Sequence, residues 1–314
     1  MSVYSSLRAL LPLLFLFVFS TCASAGGFNE GAKKCSECHE QEYDVWQNSP
    51  HFTSYKEAHK SDEAKKILKA LGEKSMKRSD ICVSCHYTEI QKSADGKPKV
   101  KSGPSCESCH GPSSEWRDVH NDFGGPKIKA GDEKPAHKTR RLADAEAKGM
   151  IASRMVYRIS KQCMDCHGLA NPRLDAGIMA RMLKAGHPVE PDFEVVKYSQ
   201  GKIRHRFVPP NVTTNSKLDA AGIARLYLGG QAAALVASSA VRGKVKDAEF
   251  NAAQDKRIQT ATRALNAVKS VIPAASKLLA SPTDTNALAF EAAIQGKDLS
   301  AKVATLLPKE SSYK

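Results

Sequence analysis

The chain is 314 residues long and carries 47 Lys or Arg against 33 Asp or Glu, a formal net charge of +14. That length allows one large domain or two smaller ones. Beyond the N-terminal segment no run reaches the ~20 apolar residues of a spanning helix, which excludes a transmembrane segment and leaves the basic charge to act on soluble or surface partners.

Residues 1–25 read as a secretory signal peptide. Arg8 precedes the apolar run Ala9–Phe19, which is too short to span a bilayer and suits an export signal. Ala23-Ser24-Ala25 supplies a small-x-small cleavage pattern, so the mature chain is expected to begin near Gly26. Lipidation at Cys22 is the weaker reading, because Phe19-Ser20-Thr21 lacks the usual Leu and small residue before it. The expected address is the periplasm, with the outer surface as the alternative. An exported chain has no call on nucleic acid, so the charge points to an acidic redox protein or a membrane surface.

The first chemical motif is Cys35-Ser36-Glu37-Cys38-His39, and its frame, CxxCH, recurs at Cys82–His86, Cys106–His110 and Cys163–His167. These frames use eight of the nine cysteines; the ninth is Cys22. Four disulfides within CxxC would close loops too short to remove much chain entropy. Zinc would accept the thiol pairs, but the abutting histidine has no role there. Covalent haem uses every residue of the frame: two thiols add to the porphyrin vinyl groups, and the next residue is held against the iron. Four haem c groups are therefore expected on Cys35 and Cys38, Cys82 and Cys85, Cys106 and Cys109, and Cys163 and Cys166. His39, His86, His110 and His167 would be the proximal iron ligands. Part of the lysine excess would then neutralise haem propionates.

Between the frames, helices are predicted over Glu42–Trp46, Asp62–Leu71, Asp144–Arg158 and Ala176–Ala185, with no sustained strand alternation. The stretch from Gly124-Gly125 to Gly149, with Lys127, Lys129, Lys134, Lys138, Arg140 and Arg141, reads as an exposed loop, either merely solvated or a docking patch. Pro209-Pro210-Asn211 is a breaker, beyond which cysteine and histidine are absent and alanine is frequent. Ser216-Lys217-Leu218-Asp219 reads as a capping box opening a helix towards Val241, with Gly229-Gly230 its weak point. Phe250, Gln254, Ile258, Ala261, Leu265, Val268 and Ile272 form one stripe of a long helix that Pro273 kinks or ends. Ser281-Pro282 marks a turn before a last helix over Thr285–Leu307.

The expected fold is mainly α with much irregular structure: a multihaem cytochrome c domain over 26–207, then an alanine-rich α-helical bundle or hairpin over 208–314. The tail would serve as a lid on the haem domain or, alternatively, as a surface for homo-oligomers.

The runs CSECHEQEYDVWQNSPH, EAKKILKALG, ICVSCHYT and GPSCESCHGPSSEW, with His120 following, resemble the tetrahaem cytochrome c of nitrifying bacteria, the c-554 type, and its multihaem relatives. The resemblance covers roughly residues 26–207. It implies that the first and third haems stack and take distal ligands from near each other's attachment sites, giving His51 to the third haem and His120 to the first. In the nitrifier protein the second haem keeps an open axial position; the AGHP segment around His187 resembles relatives in which it is ligated. On that basis His187 is assigned to the second haem and His205 to the fourth, with His59 and His137 in reserve. Met76, Met150, Met155, Met164, Met179 and Met182 are alternative ligands that would raise a potential, with helix core as their expected role. The function expected is electron transfer between redox proteins through closely packed, mostly bis-histidine haems, with no catalytic residue. The alternative is a haem enzyme whose one five-coordinate iron reduces a nitrogen or sulfur oxide; a further one is an assembly role for the tail.

Overall fold

The computed structural model describes residues 27–209 and 211–314. The segment expected to be an export signal, with Cys22 and the expected cleavage site, lies outside the described residues. The chain is mainly helical, with long irregular connections through the cysteine-rich part.

Local chemistry accounts for the helices that match expectation. Asp62–Leu71 starts on Ser61, whose side chain accepts from the Ala64 amide, and stops at left-handed Gly72. Ala176–Lys184 starts on Asp175, whose carboxylate accepts from the Ile178 amide. The predicted Glu42–Trp46 helix runs over Glu40–Gln47. A short antiparallel pair, Thr88–Ile90 with Lys99–Ser102, is the one sheet among the described residues.

Three expectations of helix extent are corrected. The helix expected over Asp144–Arg158 is two helices, Pro135–Ala147 and Val156–His167, parted at Gly149, whose φ of 101° a residue with a Cβ rarely adopts. About half of the expected exposed loop is thus the first of these helices, with Pro135 at its first turn, where a missing N–H costs nothing. Likewise the last helix splits into Asp284–Ile294 and Ser300–Val303 around Gly296, whose φ is 68°.

In the tail, the helix Ala220–Val241 is capped by Asp219, which accepts from the Gly222 amide; Ser216 turns instead to the Thr214 carbonyl, so the capping box does not form. Gly229-Gly230 is no weak point. A Cβ on Gly229 would meet Val156 at 2.6 Å and one on Gly230 would meet Val195 at 2.9 Å, so the two glycines let this helix lie directly against the start of the fourth-frame helix and against the chain beyond that frame. By length and composition Ala220–Val241 could cross a membrane, which the sequence reading did not foresee, but it is mostly buried within the protein. The stripe from Phe250 to Val268 lies on Ala248–Val268, with Phe250, Gln254, Ala261, Leu265 and Val268 buried. Pro273 opens the next helix, Pro273–Ala280, rather than kinking this one.

The largest hydrophobic cluster joins both halves: Tyr157, Met164, Phe193, Val195 and Val196 pack with Leu228, Leu235, Leu265, Phe290 and Ile294. Ala220–Val241 packs on both Val156–His167 and Ala248–Val268. The frame-bearing helix Val156–His167 is therefore a member of the tail's core. Tyr157 secures it further, donating its amide to Glu291 at 2.7 Å and its hydroxyl to Asp284.

Candidate haem sites

Each frame occupies a helical turn. Asp80–His86, Cys106–His110 and Val156–His167 end on their frame histidines, and Cys35 closes Ala32–Cys35 with the His39 amide donating back to the Cys35 carbonyl at 2.9 Å. A helical turn brings the i and i+3 thiols onto one face and projects the next side chain beside them.

Every frame histidine faces a second imidazole. Ring centres are 6.3 Å apart for His39 and His120, 6.2 Å for His86 and His187, 6.3 Å for His110 and His205, and 6.3 Å for His51 and His167. Two imidazoles ligating one metal in trans, with metal–nitrogen bonds of about 2 Å and nitrogens about 1.1 Å from the ring centres, would be separated by about 6.2 Å. Direct ring packing would be closer, as between His167 and Phe193 at 4.2 Å. The residues thus fit four irons, each between two histidines. His120 Nδ1 is also buried without a partner among the described residues, the kind of orphan a metal would satisfy.

The pairing differs from the expectation at two histidines. The sequence reading placed His51 with the third frame and His205 with the fourth, whereas the structure sets His51 opposite His167 of the fourth and His205 opposite His110 of the third. His51 opens the helix Pro50–Glu57 and His205 lies in the connection to the tail, so neither chain position says which iron is nearest. His120 opposes His39, and His187 opposes His86. Neither reserve faces a frame histidine among the described residues. His137 Nδ1 lies 2.8 Å from Glu133, and His59 sits in the turn Ala58–Lys60. All six methionines considered as ligands are buried, five of them in hydrophobic clusters.

Burial keeps several of these rings neutral, the form that binds metal. It depresses His51, His110 and His187, and takes His86 and His120 down to about 4. The far ring nitrogen is fixed by hydrogen bonds, which leave Nε2 as the free lone pair. His110 Nδ1 lies 2.8 Å from the Ile151 carbonyl, His205 Nδ1 2.7 Å from that of Ile203, and His187 Nδ1 3.0 Å from that of Pro188. His167 Nδ1 lies 2.6 Å from the Glu190 carboxylate.

The frames are ordered in space as first, third, fourth, second. Cys35 and Cys106 are within hydrogen-bond reach, as are Cys85 and Cys166. The third-frame helix packs on the fourth-frame helix. Polar residues that the sequence reading missed tie these neighbours together. Glu107, 4% exposed, joins the third frame to the chain before the first, accepting from the Glu30 and Gly31 amides at 2.8 Å each. Asn171 Nδ2 reaches the Ser84 carbonyl at 3.4 Å. Arg141 belongs to the segment expected to be an exposed loop, solvated or docking, but it is 7% exposed, pairs with Glu133 through two 2.7 Å contacts and donates to the His120 carbonyl. Only its spacing from Glu133 along the chain hinted at this.

Residues 34–111 match the family described as cytochrome c554 and c-prime. Cytochrome c-554 of Nitrosomonas europaea is 28% identical over 160 residues, which cover 49% of this chain and 63% of that protein. The chain therefore matches less than two thirds of that relative's length. No solved structure matches the chain.

Proposed function

We propose that this chain, whose residues 34–111 match the cytochrome c554 and c-prime family, is a periplasmic electron carrier with four covalently bound haem c groups. When bound, haem supplies a one-electron ferric/ferrous couple. The chain's own residues would hold it: each CxxCH thiol pair by thioether bonds, and the pairs His39 and His120, His86 and His187, His110 and His205, and His167 and His51 through their imidazole nitrogens. The observation that carries the reading is the near-constant separation of these four pairs. Nitrogen ligands on both faces favour a lower potential than methionine would give. An enzyme needs one axial face free for substrate, and a facing histidine at every frame favours the carrier. The export signal read over residues 1–25 supports the periplasmic address. In the mature, denatured protein, pyridine haemochrome absorbance should correspond to four haems per chain; three or fewer in fully matured material would refute the count.

The frame order gives the array two ends, at the first and second frames. The basic segment lies at the first, since Arg141 holds the His120 carbonyl while Lys127, Lys129, Lys134, Lys138 and Arg140 are exposed. This surface is proposed to dock an acidic redox partner. Such steering weakens as the screening length falls from ~10 Å at 0.1 M salt to ~3 Å at 1 M. Reversing Lys134, Lys138 and Arg140 to Glu should slow electron delivery to an acidic partner at low salt and leave the rate at 1 M salt almost unchanged. Equal rates at low salt would mean the surface is only solvated.

A further inference from the structure

The geometry points to Glu190 as a positioning residue that acts through His167 and lowers the reduction potential of the fourth-frame haem relative to the others. This rests on the haem reading above and adds to it a specific means of making one of four similarly ligated sites different.

Among the described frame histidines, His167 alone is hydrogen-bonded to a carboxylate, with Glu190 Oε2 2.6 Å from Nδ1. His110 instead faces a neutral carbonyl at 2.8 Å, and the nearest carboxylate to His39, that of Glu42, is 3.4 Å away. With Nε2 committed to iron, Nδ1 carries the proton and donates it. An anionic acceptor pulls on that proton more strongly than a peptide oxygen does. The ring then becomes the better electron donor at Nε2, which favours ferric over ferrous iron.

The contact is built rather than incidental. Phe193 lies flat on the His167 ring, 4.2 Å between centres and 5° from parallel. Arg257, 4% exposed on the tail helix Ala248–Val268, donates to the His167 carbonyl at 3.1 Å and also to the Glu190 carbonyl. One guanidinium thus clamps both ends of the contact. The tail, which carries no frame of its own, would thereby set the geometry of the fourth.

The test is a potentiometric titration of the full-length holoprotein with dithionite, resolved into one-electron components, comparing wild type with Glu190→Gln and Glu190→Asp. Glu190→Gln should raise one component by about 59 mV, a tenfold change in a one-electron equilibrium, and leave the other three in place. Glu190→Asp keeps the charge but shortens the reach, so the same component should rise by less. Unchanged potentials, or an equal shift of all components, would overturn the proposal. If Glu190→Gln fails to mature, an unshifted Glu190→Asp overturns it alone. A wild-type haemochrome below four haems would instead count against the haem reading, so the two failures are separable.

Discussion

His187→Ala should convert a protein that binds carbon monoxide poorly into one that binds it at one site per chain. His187 stands 6.2 Å from His86 between ring centres, and its Nδ1 faces the Pro188 carbonyl at 3.0 Å, which aims the other nitrogen across the gap. Pro188 restricts His187 to extended backbone, so the imidazole sits on a stiff arm. No substitute is at hand. The spare histidines are His137, held by Glu133, and His59, and neither is paired with His86. Deleting the imidazole would leave the second-frame iron with one open face, seen as a high-spin signal in the ferric protein by electron paramagnetic resonance and as one carbon monoxide bound after reduction. The other three haems should remain low-spin. A wild type that already shows an open high-spin haem, unaffected by His187→Ala, would remove His187 as a ligand and put the enzyme reading ahead of the carrier.

That test bears on what the sequence could and could not disclose. The frames were legible because covalent chemistry imposes fixed spacing: Cys, Cys and His must share one turn wherever the fold puts them. Helices with strong local signals were legible too, such as Asp62–Leu71 between Ser61 and Gly72, because capping is settled within a few residues. Which imidazole comes to face which frame is settled by packing. His51 and His205 lie 59 and 38 residues from His110 and His167, respectively, and nothing in those separations says that each belongs to the other frame. Gly229-Gly230 misled for a related reason. Helix propensity counts glycine as a loss of up to about 1 kcal/mol, whereas here the missing Cβ atoms admit Val156 and Val195. Arg141 looked like one more exposed cation until a helix brought it back onto Glu133 and His120.

Glu107→Ala is expected to cost about 3–5 kcal/mol of stability, as several charge-assisted hydrogen bonds at about 1.5–3 kcal/mol each are lost without full additivity. Glu107 occupies a variable position of the third CxxCH frame, yet it is 4% exposed and accepts from four donors. Two are the amides of Glu30 and Gly31, both at 2.8 Å, immediately before the helix Ala32–Cys35. The others are the Ser113 amide at 3.1 Å and hydroxyl at 2.5 Å. Alanine would leave those amides in a partly buried site with no acceptor, and the first frame would lose its main polar tie to the third. Glu107→Gln keeps one carbonyl oxygen but turns an N–H₂ group towards a donor, so it should cost less than alanine and more than nothing, about 1–3 kcal/mol. Urea unfolding of the holoproteins, followed by far-ultraviolet circular dichroism, measures both. Because the tie joins adjacent haem sites, the alanine variant should also alter the magnetic coupling between the first and third haems while leaving the haem count at four. An alanine variant within about 0.5 kcal/mol of wild type, the ordinary range for surface substitutions, would show that the network does not hold the two frames together.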